Sequence, residues 1–311
     1  MSWLLHLPGA GFFWTLLAIA LPAFAGGLAD DLTRRVGPTP RLLLTMVSAA
    51  IAFSWLGAAL YRSHMGWLDA ALAYWPVSFG ATLFAVAGVA HSMNIIDGYN
   101  GLSAGVGVLV LLALGVISAA VGDTSLALVS FAGAAAYAGF LIQNYPHGRI
   151  FLGDGGAYLL GALIAILAAL LVGRHERVSP WFPFVLVVYP VWETLFSVLR
   201  RAFYQRTSVG AADARHLHSL IYRRILRRYF PGRDAQSVKL RNAFTTPPLW
   251  AAQLLMTGGA VAAFDQTRVL QCQAVAFVLL YCAAYAWIMG LRRPAHSAVL
   301  RYLALRAARK T

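Results

Sequence analysis

FLGDGGAYLLGALIAILAALLVG, residues 151–173, joins a glycine-flanked aspartate to an uncharged run that begins at Ala157. An apolar stretch of about 17–25 residues is what a bilayer core demands of one helix. The same combination, a short polar cluster beside a long apolar run, recurs along the chain. Composition extends the reading: 60% hydrophobic residues, 12% charged residues and a mean hydropathy of +0.67 exclude a soluble domain of 311 residues. The expectation is an all-α, polytopic transmembrane helical bundle, with residues 1–311 forming one integral membrane domain.

On a ruler of about 20 residues per helix, nine spans are expected, near 10–29, 42–61, 72–93, 101–121, 125–145, 157–173, 181–199, 246–264 and 269–291. An odd number separates the termini. With the N-terminus outside and the C-terminus cytoplasmic, all but Arg62, Arg174, Arg177 and Arg268 of the 25 Lys+Arg residues lie inside, as the positive-inside rule requires. The net charge of +14 is therefore read as a topological signature. It implies anionic membrane lipids as partners and no nucleic acid. The first span is not read as a cleavable signal, because it lacks a basic leading region and runs into Asp30-Asp31. Cys272 and Cys282 sit ten residues apart on one expected helix, about 15 Å along its axis, so no disulfide is expected. No internal repeat of the transporter kind is evident.

Under this topology four polar clusters fall on the cytoplasmic side. Asp30-Asp31 closes the first span. Adjacent carboxylates at a membrane boundary repel and resist desolvation unless a cation or proton relay compensates; the plainer reading is a helix end balanced by Arg34 and Arg35. Residues 94–105, NIIDGYNGLSAG, place Asn94, Asp97 and Asn100 at three-residue spacing beside Gly98 and Gly101. Such a connection can gather oxygen ligands and backbone N–H groups, although interhelical turns favour the same residues. In FLGDGG, Asp154 is flanked by glycines and precedes a helix whose N-terminus favours an anion; the alternative is an N-cap aspartate. The fourth cluster is Arg215-His216-Leu217-His218, which continues as a basic stretch to Tyr229. Leu217, Leu220, Ile221 and Ile225 share one face, as in a helix lying on the cytoplasmic leaflet, within the 200–242 loop. Asp69, Asp123, Glu176 and Asp265 stand singly in the outside loops, as solvated charges. Glu193 lies within the seventh span and is functional by default, with a buried interhelical hydrogen bond as its alternative.

In order and spacing, Asp30-Asp31, NxxDGxNGL at 94–102, FLGDGG at 151–156 and RHLH at 215–218 resemble the polyprenyl-phosphate N-acetylhexosamine-1-phosphate transferase family. The resemblance covers about residues 20–228. It implies that a polyprenyl phosphate, undecaprenyl phosphate in bacteria, attacks the β-phosphate of a UDP-amino sugar, with UDP-GlcNAc favoured, releasing UMP in an Mg²⁺-dependent reaction; Mn²⁺ is the alternative metal. By the same resemblance Asp154 is the first metal ligand and Asn94 the second, with Asp97 as an alternative or outer partner. Asp30 matches the family's general base or phosphate-orienting acid, and Asp31 its structural or metal-side neighbour. Because a phosphate monoester's second ionisation lies near pH 6, positioning is favoured over proton abstraction. Arg41 matches a phosphate contact, Asn100 a uracil-side contact, and Arg215, His216 and His218 a sugar or phosphate site. Implied too are a bacterial plasma-membrane location, a role in initiating envelope polysaccharide and a homodimeric assembly.

Two departures stand out. Ser219 occupies a position where many members carry a further histidine, which leaves sugar choice open and argues mildly against the peptidoglycan enzyme. Members usually have two more spans and a Pro-rich Gly-Gly motif before the aspartate pair, so the chain is expected to lack the family's first two spans, its true start lying upstream. A cation-coupled transporter and a non-catalytic scaffold are the competing readings. The transporter is disfavoured because its acids should sit near the bilayer midplane.

Overall fold

The computed structural model describes residues 10–205 and 215–290. Part of the 200–242 loop, the C-terminal tail and the residues before 10, on which the orientation argument draws, lie outside the described residues. Within them the fold is helical without strands. The order is α1 (Ala10–Thr33), α2 (Pro38–Leu56), a short α3 (Gly66–Leu72), α4 (Trp75–Ile96), α5 (Leu102–Ala120), α6 (Thr124–Asn144), α7 (Gly153–Arg174), α8 (Trp181–Leu186) and α9 (Val188–Arg200). After α9 come α10 (Leu217–Leu220), a π-helical segment Ile221–Leu226, α11 (Arg227–Tyr229), α12 (Ala235–Ala262) and α13 (Thr267–Gly290).

Local signals explain most boundaries. Pro38 opens α2 and Pro76 falls in the first turn of α4, positions where a missing N–H costs nothing. Asp123 caps α6 by accepting from the Leu126 N–H at 3.0 Å, and Asp234 caps α12 by accepting from the Ser237 N–H at 2.8 Å. Among the described residues seven helices are long and apolar enough to cross a membrane: α1, α2, α4, α5, α6, α7 and α13. The chain is a multi-pass membrane protein.

α7, the helix that starts from FLGDGG, forms the centre. It packs against α1, α4 and α5, and 83% of its most apolar stretch is buried, against 22% for α2. A helix apolar all round is stable when surrounded by other helices. Gly27 of α1 and Gly161 of α7 permit close approach, since a Cβ would lie 2.5 Å from the Asp154 carbonyl at the first and nearer still to the Ala90 Cα at the second.

Two of the nine expected spans take a different form. The expected span 181–199 is broken at Val187 into α8 and α9. Pro190 has no N–H with which to close onto the Leu186 carbonyl. That carbonyl accepts instead from Gln253 Nε2 of α12 at 2.8 Å, in a buried bond. The expected span 246–264 belongs to a longer helix, α12, which starts at Ala235 and carries Lys239 and Arg241 in its first half. Asp30 and Asp31 fall in the last turn of α1, at the end of the first span as expected, whereas Asp154 lies in the first turn of α7 and not in a loop.

A further correction concerns residues 217–229. Leu217, Leu220 and Ile221 do share a face, but that face is buried in the protein core. The helix is a wall of the bundle, and its apolar residues are not free to insert into a leaflet.

Candidate active site

α1, α4 and α7 end or begin at one end of the bundle, and this brings three clusters together. Asp154 is the hub. Its Oδ1 accepts from Asn94 Nδ2 at 2.8 Å, and its Oδ2 pairs with Arg41. The same Arg41 nitrogen meets Asp30 Oδ2 at 3.0 Å. Asp30 is therefore balanced by Arg41, not by Arg34 or Arg35, and its other oxygen accepts from the Val36 N–H at 3.0 Å.

Asp31 turns the other way. Its two oxygens accept from the N–H groups of Asp154 and Gly155, each at 2.9 Å. The anion expected at the α7 N-terminus is thus the chain's own carboxylate, which satisfies donors that helix geometry leaves unpaired. Gly153 makes this approach feasible, with φ +69° and an ideal Cβ only 2.6 Å from Asp31 Oδ2. Asp154 does not act as the N-cap, which is Leu152.

Asp97 ends α4 in the turn to α5. Burial first, and then the Asp31 charge, push its carboxyl up to about 8. Crowded carboxylates with one shared arginine are an arrangement that a divalent cation would relieve. Among the described residues no three Asp, Glu, His or Cys side chains form a ready-made metal cage. One or two carboxylates completed by substrate phosphate and water is the arrangement Mg²⁺ ordinarily takes, so Asp154, with the Asn94 amide bonded to it, suits that metal.

Asn100 serves the loop itself. Its Nδ2 donates to the Pro146 carbonyl at 2.9 Å, its N–H donates to Asn242 Oδ1 at 2.9 Å, and its carbonyl accepts from Thr246 Oγ1 at 2.8 Å. Trp250 Nε1 donates to the Gly101 carbonyl at 3.2 Å. α12 therefore braces the C-terminal end of the NIIDGYN turn.

The fourth cluster joins through His218. Its ring lies 5.5 Å from that of Tyr99, and its Nε2 would be 3.6 Å from a Cβ at Gly98. His216 stacks on His218 with centroids 5.1 Å apart. Glu193, buried in α9, accepts from the Leu217 N–H at 2.9 Å and meets His216 Nδ1 at 3.0 Å. Its role is thus an interhelical anchor for the histidine segment. Arg215 is exposed, and its carbonyl accepts from Arg200.

Several contributors escaped the sequence reading. Tyr158, one turn beyond Asp154, lies under Arg41, whose Cζ is 5.7 Å from the ring centroid. Its hydroxyl meets His91 Nδ1 at 3.1 Å. A lone histidine three residues before Asn94 on the same apolar helix was the available signal. Asn242, Thr246 and Trp250 gave none, because nothing in their local sequence marks Asn100 and Gly101 as partners.

Residues 13–172, more than half of the chain, match the family described as glycosyl transferase family 4. The chain belongs to this family. Among its relatives, the Escherichia coli (strain K12) undecaprenyl-phosphate alpha-N-acetylglucosaminyl 1-phosphate transferase is 26% identical over 91% of this chain and 75% of its own length. The Synechococcus sp. (strain JA-3-3Ab) phospho-N-acetylmuramoyl-pentapeptide-transferase is 33% identical over 67% of this chain and 62% of its own. A Bacillus subtilis (strain 168) protein, "Probable undecaprenyl-phosphate N-acetylglucosaminyl 1-phosphate transferase", is 29% identical over 50% of this chain. The chain spans 41% of that relative's length. The matched family region holds Asp30, Asp31, Arg41, Asn94, Asp97, Asn100 and Asp154.

Proposed function

We propose that the protein transfers a sugar 1-phosphate from a UDP-N-acetylhexosamine to undecaprenyl phosphate, releasing UMP at the cytoplasmic face of a bacterial plasma membrane. The observation that carries this reading is the hub at Asp154, held between Arg41 and Asn94 with Asp30 on the same arginine. Family membership and the activities that the relatives' names state support it.

Two phosphorylated reactants repel, so the site must supply positive charge where they meet. Arg41 does so from the protein, its guanidinium oriented by Asp30 and Asp154 and by the Tyr158 face. Bound Mg²⁺, held by Asp154 and Asn94 with Asp97 as the alternative or outer partner, would offset the charge of the diphosphate and the departing UMP. Asp31 fixes the α7 N-terminus and so the direction of Asp154. Asp30, tied to Arg41 and the Val36 N–H, suits orienting the lipid phosphate better than removing a proton, since a phosphate monoester is already largely dianionic at neutral pH. His218 and His216, anchored by Glu193, face the nucleotide side of the NIIDGYN turn and serve with Arg215 as donor contacts. Asn100 shapes that turn through Pro146 and α12, and any uracil contact it makes adds to that duty.

The rim suits a lipid acceptor. Leu32, next to Asp31, is 77% exposed and Phe151, three residues before Asp154, is 80% exposed. Exposed apolar side chains beside a charged hub are what a long isoprenoid carrying a phosphate would meet. This interfacial arrangement favours an enzyme over a transporter with midplane acids.

The test is UMP release by the purified protein with UDP-GlcNAc, undecaprenyl phosphate and Mg²⁺, beside other UDP-amino sugars and an Asp154→Asn control. Lipid-dependent release that EDTA stops, excess Mg²⁺ restores and the control lacks is the expected result. Release of equal size from the control would overturn the assignment of Asp154. Silence with every sugar, repeated with any preceding coding sequence added, would favour the scaffold reading.

A further inference from the structure

At the same end of the bundle, beyond Tyr99, a cavity of about 290 Å³ lies between the 217–229 helix and the first turns of α12. Its walls are Tyr222, Arg223, Arg227, Arg233, Val238 and Arg241. Four guanidinium groups thus converge on one space whose lining, among the described residues, holds no carboxylate. Asp234, the acid next along the chain from Arg233, is committed to Ser237, accepting from its N–H at 2.8 Å and its hydroxyl at 2.7 Å. Among the described residues Arg227 and Arg233 have no acidic partner.

Arg241 is the unusual member. It is only 6% exposed, lies 5.4 Å over the Tyr222 ring, and donates through one terminal nitrogen to the carbonyls of Phe230 and Gly232. Its buried Nε–H finds no acceptor among the described residues. A buried guanidinium left partly unsatisfied beside other arginines is costly unless an anion answers it. Phosphate offers the planar fork several charge-assisted acceptors.

We propose that this cavity is a second phosphate site, separate from the carboxylate hub, which takes a phosphate-bearing anion such as an anionic lipid headgroup or a free phosphate. It adjoins the catalytic turn without sharing it. Tyr222 forms its wall and also packs on Tyr99, with centroids 5.3 Å apart. Asn242, next to Arg241, holds the Asn100 N–H. An anion bridging the 217–229 helix to α12 would therefore fasten two elements that brace NIIDGYN.

The experiment measures the unfolding temperature of the full chain in non-ionic detergent against rising dioctanoyl phosphatidylglycerol, dioctanoyl phosphatidylcholine or inorganic phosphate. Binding to the folded state raises that temperature with the logarithm of one plus the ratio of free ligand to Kd. Arg241 is left intact because it braces two carbonyls. The test variant is Arg227→Gln with Arg233→Gln, and the charge-matched control is Arg228→Gln with Lys239→Gln, both exposed and outside the cavity lining. The expected result is a rise with phosphatidylglycerol and not phosphatidylcholine, needing about tenfold more ligand in the test variant, the ratio that a loss of about 1.4 kcal/mol produces, and unchanged in the control. A matching rise with inorganic phosphate would assign the site to free phosphate, and its absence to the headgroup. Three outcomes would overturn the proposal: no rise with either anion, an equal rise with phosphatidylcholine, or equal responses from the test variant and the control. None of these readouts depends on turnover, so they stand apart from the transferase assay.

Discussion

The two ends of the bundle use the same residue types and wire them in opposite ways. At the far end Asp123, Asp69 and Asp265 are spent on structure. Asp123 caps α6 and meets Arg174 and His175, each at 3.2 Å. Asp69 accepts from the Ser63 hydroxyl at 2.7 Å, and Asp265 meets Arg177 at 3.6 Å. Arg62 donates to the carbonyls of Val172, His175, Glu176 and Val178, closing the C-terminal end of α7. At the near end Asp30 and Asp154 share one guanidinium, while Asp97 feels Asp31 as an unfavourable neighbour. The far end is electrostatically closed. The near end is left with demand for positive charge, and that demand is what a phosphate-transfer site needs to recruit a cation and hold an anionic donor.

This contrast can be broken in four ways. The largest effect is expected from Asp154→Asn, which should lower turnover by about 10³-fold, the scale of removing a key electrostatic group from a preorganised site, while leaving the unfolding temperature close to that of the parent. A large loss of stability with little loss of rate would make Asp154 a structural acid like Asp123. Next, Arg41→Lys should cost about 10²-fold in turnover, because a point charge cannot serve Asp30 and Asp154 together as a planar fork does; steady-state kinetics across donor concentrations would detect it.

The remaining two probe the closed end. Arg62→Ala should destabilise the fold by about 2 kcal/mol, the order of losing charge-assisted hydrogen bonds, with turnover per folded molecule unchanged. Thermal unfolding measured in parallel with UMP release separates the two, and a rate loss matching that of Arg41→Lys would erase the distinction between the ends. The smallest effect is expected from Asp123→Ala, at about 1 kcal/mol for a lost cap. Burial pushes Asp123 up, but the Leu126 N–H, His175 and Arg174 outweigh it and hold its carboxyl below the ordinary 3.8. A lowered folded value stabilises above the unfolded pKa and loses that contribution as pH falls through the folded one. The variant's deficit should therefore be full at neutral pH and vanish in acid; a deficit independent of pH would point to packing.

Much of the near end was legible because its residues break local expectation. Paired acids in Asp30-Asp31, amides and an acid at three-residue spacing in NIIDGYN, and an aspartate among glycines in FLGDGG all stand out against apolar spans. Their separate roles were less legible. Asp31 as the cap of α7, Asn100 as a tie to Pro146, and Glu193 as the anchor of His216 each depend on a partner far along the chain. Hydropathy also misjudged the 217–229 helix, since an apolar stripe has the same period whether it faces lipid or protein.

Sequence alone determined that this chain is a helical membrane bundle and which short polar segments stand out from its spans, because span length, charge bias and glycine-flanked acids are local properties written within a few residues. Tertiary structure decided which acid meets which base. It made Arg41 the shared partner of Asp30 and Asp154, let Gln253 take up the carbonyl that Pro190 leaves open, and closed four arginines around one cavity. Such pairings depend on helix order and approach in space, and no window of neighbouring residues contains them.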